Sequence, residues 1–162
     1  MKVTEADIRF YQAEDAIYIG TLMGTSIGAG VTELADQITS HPWWTFGTVE
    51  VVLGHHDSNV SVATGNKIAL IPDHCNAWCL CHELAHIASP GTGHDAMFAR
   101  RLIDLLNITF GSDAGIESRA LDVFARLGIS VAADIAGPGR ICGDGAYAMH
   151  ASRLHHRQYG AC

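Results

Sequence analysis

The chain has 162 residues, 48% apolar and 17% charged, and 17 acids against 10 Lys and Arg give a formal charge of -7. Such a chain can bury one core, so disorder and a two-domain architecture are excluded, and the acidic balance gives no counterion-release drive toward nucleic acid or anionic membranes. Ten histidines are the unusual feature, and they direct the search to metals.

No basic segment followed by an apolar one opens the sequence, and no apolar run approaches ~20 residues, so neither a secretory signal nor a membrane span is expected. The five cysteines are then read as thiols in a reducing, cytoplasmic compartment. Thr4 and Asp7 have capping-box spacing, and Ile8, Tyr11, Tyr18, Ile19 and Leu22 recur near helical intervals, which predicts a helix over 5–23. The glycine-rich stretch 24–30 reads as a linker. Its Gly28-Ala29-Gly30 lacks the preceding strand and the following Lys that a phosphate loop requires. Val31, Leu34, Ala35 and Ile38 make a short amphipathic helix that His41-Pro42 ends, and Trp43 and Trp44 are assigned to the core. Three Val- and Ile-rich runs, 48–53, 59–64 and 67–71, read as strands, the last two joined by the hairpin signal Gly65-Asn66.

Beyond Pro72 the pattern turns helical. Asp73 is placed as a cap, and Ala77, Leu80, Leu84, Ala85, Ile87 and Ala88 keep helical period until Ser89-Pro90-Gly91. A third long helix is predicted over 94–110, with Phe98, Leu102, Leu105 and Leu106 on one face, and a fourth over 113–127. Arg100 and Arg101 are expected on the exposed face of the third. Residues 146–159 could form a short helix carrying His150, His155 and His156. The predicted fold is α+β: N-terminal helices, a small, mostly antiparallel three-stranded sheet, then a functional helix followed by C-terminal helices. A domain of residues 1–130 precedes an extension of 131–162.

His82-Glu83-Leu84-Ala85-His86 lies inside a segment already predicted helical, and it matches the five-residue signature of metalloproteases. Residues four apart on a helix stack on one face, so the two imidazoles can converge on one ion with Glu83 beside them as a base. A catalytic Zn²⁺ needs a third protein ligand. Pro90, Gly91 and Gly93 allow the chain to reverse and return His94, which makes it the choice for that ligand. Asp95 is the near rival, against its reading as a helix N-terminal acid favoured by the dipole. Asp104 and Glu117 are weaker candidates, expected to be solvated. Cys75 and Cys79 share a stripe with His82 and His86, but short thiols one turn below are assigned to packing.

The run from His82 to His86, with His94-Asp95-Ala96-Met97-Phe98 and a Leu-rich helix after it, resembles zincin metallopeptidases of the SprT-like type, which carry a later His-Gly-x-x-Phe. Residues 7–129 more closely resemble a family of small bacterial and phage proteins described as metallohydrolases, from which Asp95 departs where the pattern has glycine. The resemblance implies a zincin fold, one Zn²⁺ held by His82, His86 and His94, and Glu83 as general base in peptide-bond hydrolysis. It also implies that an extended peptide or protein substrate pairs with an edge strand, here 59–64, the alternative being that the Trp43-Trp44 segment or the His-rich tail covers that edge. No nucleic acid and no membrane partner is expected. The DNA-linked role of longer SprT-like enzymes does not transfer, because the chain has no paired-cysteine zinc ribbon and no basic segment. Two other readings stay open: a zinc hydrolase of small amides or esters, and a binding module whose zinc is structural. The tail residues His150, His155, His156 and Tyr159 are read either as a hydrogen-bond donor to the site or as a solvated tail.

Overall fold

In a computed structural model, which describes residues 3–18, 27–54, 60–89, 91, 93–111 and 115–133, Thr4 and Asp7 close a capping box. The Asp7 carboxylate accepts the Thr4 N–H at 2.8 Å, and the Asp7 N–H donates to Thr4 Oγ1 at 3.2 Å. Helix α1 (Glu5–Tyr18) starts there; the rest of the predicted first helix, 19–23, lies outside the described residues. Its buried stripe is Phe10, Ala13, Glu14 and Ile17, one position round from the stripe expected. Ile8 and Tyr11 are instead 47% and 43% exposed. Both stripes have helical period; the neighbours decide between them, and here Phe98 and Phe124 present rings to Phe10 at centroid distances of 5.2 and 5.3 Å.

Helix α2 (Gly30–Thr39) buries Val31, Leu34, Ala35 and Ile38. Trp44 behind it is buried, and its indole N–H donates to the Gly47 carbonyl at 2.6 Å. Trp43 is only half-buried, and the Arg101 guanidinium lies over its ring at 5.2 Å and over Phe46 at 5.4 Å.

Strands β1 (Glu50–Leu53), β2 (Val62–Thr64) and β3 (Lys67–Leu70) form one sheet in the order β1-β3-β2. Gly65, at φ +59°, turns β2 back onto β3 in the expected antiparallel hairpin, with Thr64 opposite Lys67. The pairing of β1 with β3 is parallel, Val51 opposite Ile68, so the sheet is mixed rather than mostly antiparallel. Alternation of apolar residues is the same in both pairings. What separates them is the strand order, which puts β3 between β1 and β2 and leaves β2 on the edge. Ile68 and Leu70 of the central strand enter the core.

A 3₁₀ turn at Pro72–His74 ends the sheet, and the cap of the next helix is Asn76, not Asp73: its Oδ1 accepts the Cys79 N–H at 2.8 Å. Helix α3 (Ala77–Ala88) packs against the sheet, α2 and helix α4 (Ala96–Phe110), while helix α5 (Ile116–Arg126) packs on α1 and α4. Among the described residues these five helices and three strands make the α+β architecture that the sequence predicts, and no helix is long and apolar enough to cross a membrane. The extension is anchored by Val131, packed against the core, and by the Ala132 N–H, which donates to the Ala96 carbonyl at 2.8 Å; residues 134–162, with the predicted tail helix and its histidines, lie outside the described residues.

The expectation that Arg100 and Arg101 are exposed and Asp104 and Glu117 solvated is corrected. Arg100 is 5% exposed. Its Nη2 donates to Asp104 at 2.6 Å and its Nη1 to Glu117 at 3.1 Å, which ties α4 to α5. Helix α4 is covered by both α3 and α5, and the buried guanidinium of Arg100 is matched there by acids.

Candidate metal centre

Helix α3 places His82 and His86 one turn apart, with ring centroids 4.9 Å from each other. The chain then reverses through Gly91 and Gly93, at φ +82° and +59°, where a side chain other than glycine would be strained. His94 comes back against α3, and Asp95 stops the loop. Its carboxylate accepts the N–H groups of Met97 and Phe98 at 2.9 and 3.0 Å and so caps α4. Asp95 is thus engaged as a cap where glycine would have none to offer. Among the described residues, His82, His86 and His94 are the group that could hold a metal, each with a ring nitrogen within 4.8 Å of the others. Phe98, fully buried, forms a floor beneath all three rings at 4.5–5.1 Å, and Phe10 stacks on His94 at 4.9 Å.

Two carboxylates from α1 set the tautomers. Glu14 Oε1 lies 2.7 Å from His82 Nδ1, and Asp7 Oδ1 lies 2.9 Å from His94 Nδ1. An ionised carboxylate only accepts, so each Nδ1 carries the hydrogen and each Nε2 faces the centre. Thr4 and His94 together hold Asp7 down to about 2, through hydrogen bonds to its carboxylate, and keep it ionised. Trp78 adds its indole N–H to the same Glu14 oxygen at 3.2 Å. The outcome is a pair of Nε2 atoms 3.3 Å apart, His82 against His94.

Facing lone pairs need a proton or a cation between them. Burial opposes charge on His82, but the charge and hydrogen bond of Glu14, with the charge of Glu83, raise its pKa above the ordinary value. His86 goes the other way, to about 3, lowered by burial and then by the His82 and His94 charges. One proton cannot satisfy three converging nitrogens, whereas one ion can. Ligands about 2.0–2.1 Å from a tetrahedral Zn²⁺ stand about 3.3 Å apart, so the observed Nε2 separation fits that ion. The hydrogen-bonded carboxylates behind two of the rings are the orientation such ligands require.

Glu83 is 6% exposed. Burial pushes its carboxyl up to about 7, against the opposing pull of the His82 charge and of the Ala63 backbone on β2. A carboxyl poised there can take or hold a proton near neutrality. The same contact sets the edge strand beside it. The thiols stay out of the cluster: Cys75 Sγ bonds the Ile71 carbonyl, and burial raises Cys79 to about 11 and Cys81 to about 12.

Three residues near the centre are absent from the sequence-derived set: Asp7, Tyr11 and Glu14. They stand at i, i+4 and i+7, one stripe of α1. Tyr11 stacks on His82 at 6.2 Å and meets His94 edge-on at 5.1 Å. Burial and the charges of Asp7, Glu14 and Glu83 hold its phenol above the ordinary pKa. The visible signal was two acids two turns apart on a helix whose other acids are scattered, which spacing alone could not connect to a motif 68 residues away. No protein-family model, curated protein or solved structure matches the chain.

Proposed function

We propose that the protein is a zinc-dependent hydrolase, and within that class a metallopeptidase. The observation that carries the reading is the convergence of His82, His86 and His94 nitrogens beside the buried Glu83. Bound there, a zinc ion would supply Lewis-acid polarisation of a carbonyl and acidify a water at its open position.

The residues divide the remaining work. Asp7 and Glu14 fix the ring orientations of His94 and His82, so the open side of the site is set before substrate arrives. Glu83 is the general base; it takes the water's proton and returns it to the leaving group, a task suited to a carboxyl held near 7. A purely structural zinc has no use for such a base, and this favours catalysis over a binding module. The peptidase reading over small amides or esters is supported by β2, an edge strand whose Ala63 backbone lies at Glu83. Main-chain groups on that strand can pair with an extended peptide.

Elemental analysis and activity on an unfolded protein such as casein test the reading together. Wild type is expected to hold about one zinc per chain; His94→Ala loses most of it and Asp95→Ala keeps it. Glu83→Gln keeps the zinc and loses hydrolysis by about 10²-fold or more. Full turnover in Glu83→Gln, or zinc lost in Asp95→Ala and kept in His94→Ala, overturns the assignment.

A further inference from the structure

Tyr11 is the one large side chain at the site whose position the core does not explain. Its neighbour Phe10 is 1% exposed and fills the space between α1, α4 and α5, whereas Tyr11 is 43% exposed. An exposed position on an amphipathic helix ordinarily carries a polar or charged chain, as Arg9 and Gln12 do here. The phenol ring instead lies against the imidazoles of His82 and His94. Asp7 and Glu14 stand behind the rings of His94 and His82, so α1 forms one wall of the site. On that wall Asp7 and Glu14 are both occupied by ring nitrogens. The Tyr11 hydroxyl makes no hydrogen bond among the described residues. It is therefore the polar group on the α1 wall still available to a ligand.

We propose that the Tyr11 hydroxyl donates a hydrogen bond to the carbonyl oxygen of an acyl substrate as that oxygen gains negative charge. The inference rests on the hydrolase reading above and deepens it: it names the group that meets the oxygen. A phenol is suited to the role because it is a neutral donor on a rigid ring, and that ring lies against two imidazoles. A donor aimed where charge develops is worth most when it needs no rearrangement to act. Asp7 and Glu14 are committed to the ring nitrogens of His94 and His82, and Glu83 to the proton of the attacking water, so none of the three acids is left for this role. Tyr11 would then touch substrate while Asp7 and Glu14, four residues before it and three after, act through the histidines as positioning residues.

The test compares the full-length, zinc-loaded wild type with Tyr11→Phe, using two small probes that carry no side-chain specificity. Methylphosphonate presents a tetrahedral oxyanion, and acetohydroxamate grips zinc in a planar chelate. By calorimetry, Tyr11→Phe is expected to bind methylphosphonate at least 10-fold more weakly while its zinc affinity, melting temperature and acetohydroxamate binding stay within about twofold or a degree of wild type. Equal methylphosphonate binding by the two proteins, or no binding by wild type that takes zinc and acetohydroxamate, overturns the role of Tyr11 and leaves the hydrolase reading standing. A fall in zinc affinity or melting temperature in Tyr11→Phe would make Tyr11 a structural wall instead. If wild type takes up neither zinc nor acetohydroxamate, the hydrolase reading fails and the Tyr11 role with it.

Discussion

Two partly buried polar clusters lie against α4, and they are assembled differently. At Arg100 each guanidinium nitrogen faces a carboxylate of Asp104 or Glu117, and Asn107 donates to the second Glu117 oxygen at 3.1 Å while its own Oδ1 stays buried without a partner among the described residues. At the histidines each carboxylate satisfies the outer ring nitrogen and leaves the inner one bare, with Nε2 of His82 facing Nε2 of His94. The guanidinium network turns its donors onto carboxylates and ties α4 to α5, whereas the histidine cluster is open in that its inner nitrogens converge on one another rather than on an acid. What distinguishes the two is where the donors and acceptors point.

The widest expected separation between the clusters is their response to zinc. A metal at 1,000 times its dissociation constant stabilises the folded chain by about 4 kcal/mol, enough to raise the melting temperature by about 10 °C or more. That gain disappears in His82→Ala and is restored by nothing done at Arg100. Arg100→Met, in turn, strands two partly buried carboxylates and costs about 3–5 kcal/mol with or without zinc. Urea melts of both variants across a zinc titration read the two effects. A zinc shift that vanishes in Arg100→Met but survives in His82→Ala would reverse the distinction drawn here.

An open cluster also carries a cost when it is empty, and pH reveals it. The Glu83 carboxyl stands at about 7 in the folded chain against an ordinary 4.5. Between those values the folded state keeps a proton that the unfolded state has released, so stability is highest below about 4.5 and declines as pH rises through about 7. In the metal-free protein, Glu83→Gln removes that loss. The variant is expected to match wild type near pH 4 and to exceed it near pH 8, by up to about 3 kcal/mol. A variant no more stable than wild type near pH 8 would mean that Glu83 is solvated and the site more open than it is drawn.

Much of the first half of the site was legible because it is local. His82, Glu83 and His86 lie within one turn of a helix whose apolar period is unambiguous, and two glycines in the loop after it announce a reversal that returns His94. The hairpin was legible for the same reason, since Gly65 decides it within four residues. What failed is non-local. The stripe of α1 that turns inward depends on Phe98 and Phe124, and the parallel pairing of β1 depends on a crossover that no residue of β1 records. Arg100 looked exposed because a charged residue on an amphipathic helix usually is; α5 brings the acid that allows it inside. Asp7 and Glu14 belong to the same class, ordinary helix acids until α1 docks beside a motif far along the chain.

The finest comparison lies within the open cluster, between the two carboxylates of α1. Glu14 serves His82 and Trp78 and has no part in the helix cap, so Glu14→Gln is expected to weaken zinc binding by about 10- to 100-fold while α1 stays formed. Asp7 has two duties on its two oxygens: Oδ2 takes the Thr4 groups of the capping box and Oδ1 takes His94. Asp7→Asn should therefore combine a similar loss of zinc affinity with a loss of stability. Thr4→Ala separates them, because it removes the hydroxyl of the cap and leaves Asp7 Oδ1 on His94. Its expected cost is about 1 kcal/mol in the metal-free protein, the usual worth of such a cap, and the change in zinc affinity should stay below about threefold. Paired zinc titrations and urea melts on the three variants measure this. If Thr4→Ala weakens zinc as much as Asp7→Asn does, the cap and the ligand are one cooperative unit, and folding of the first turn of α1 is itself part of metal binding.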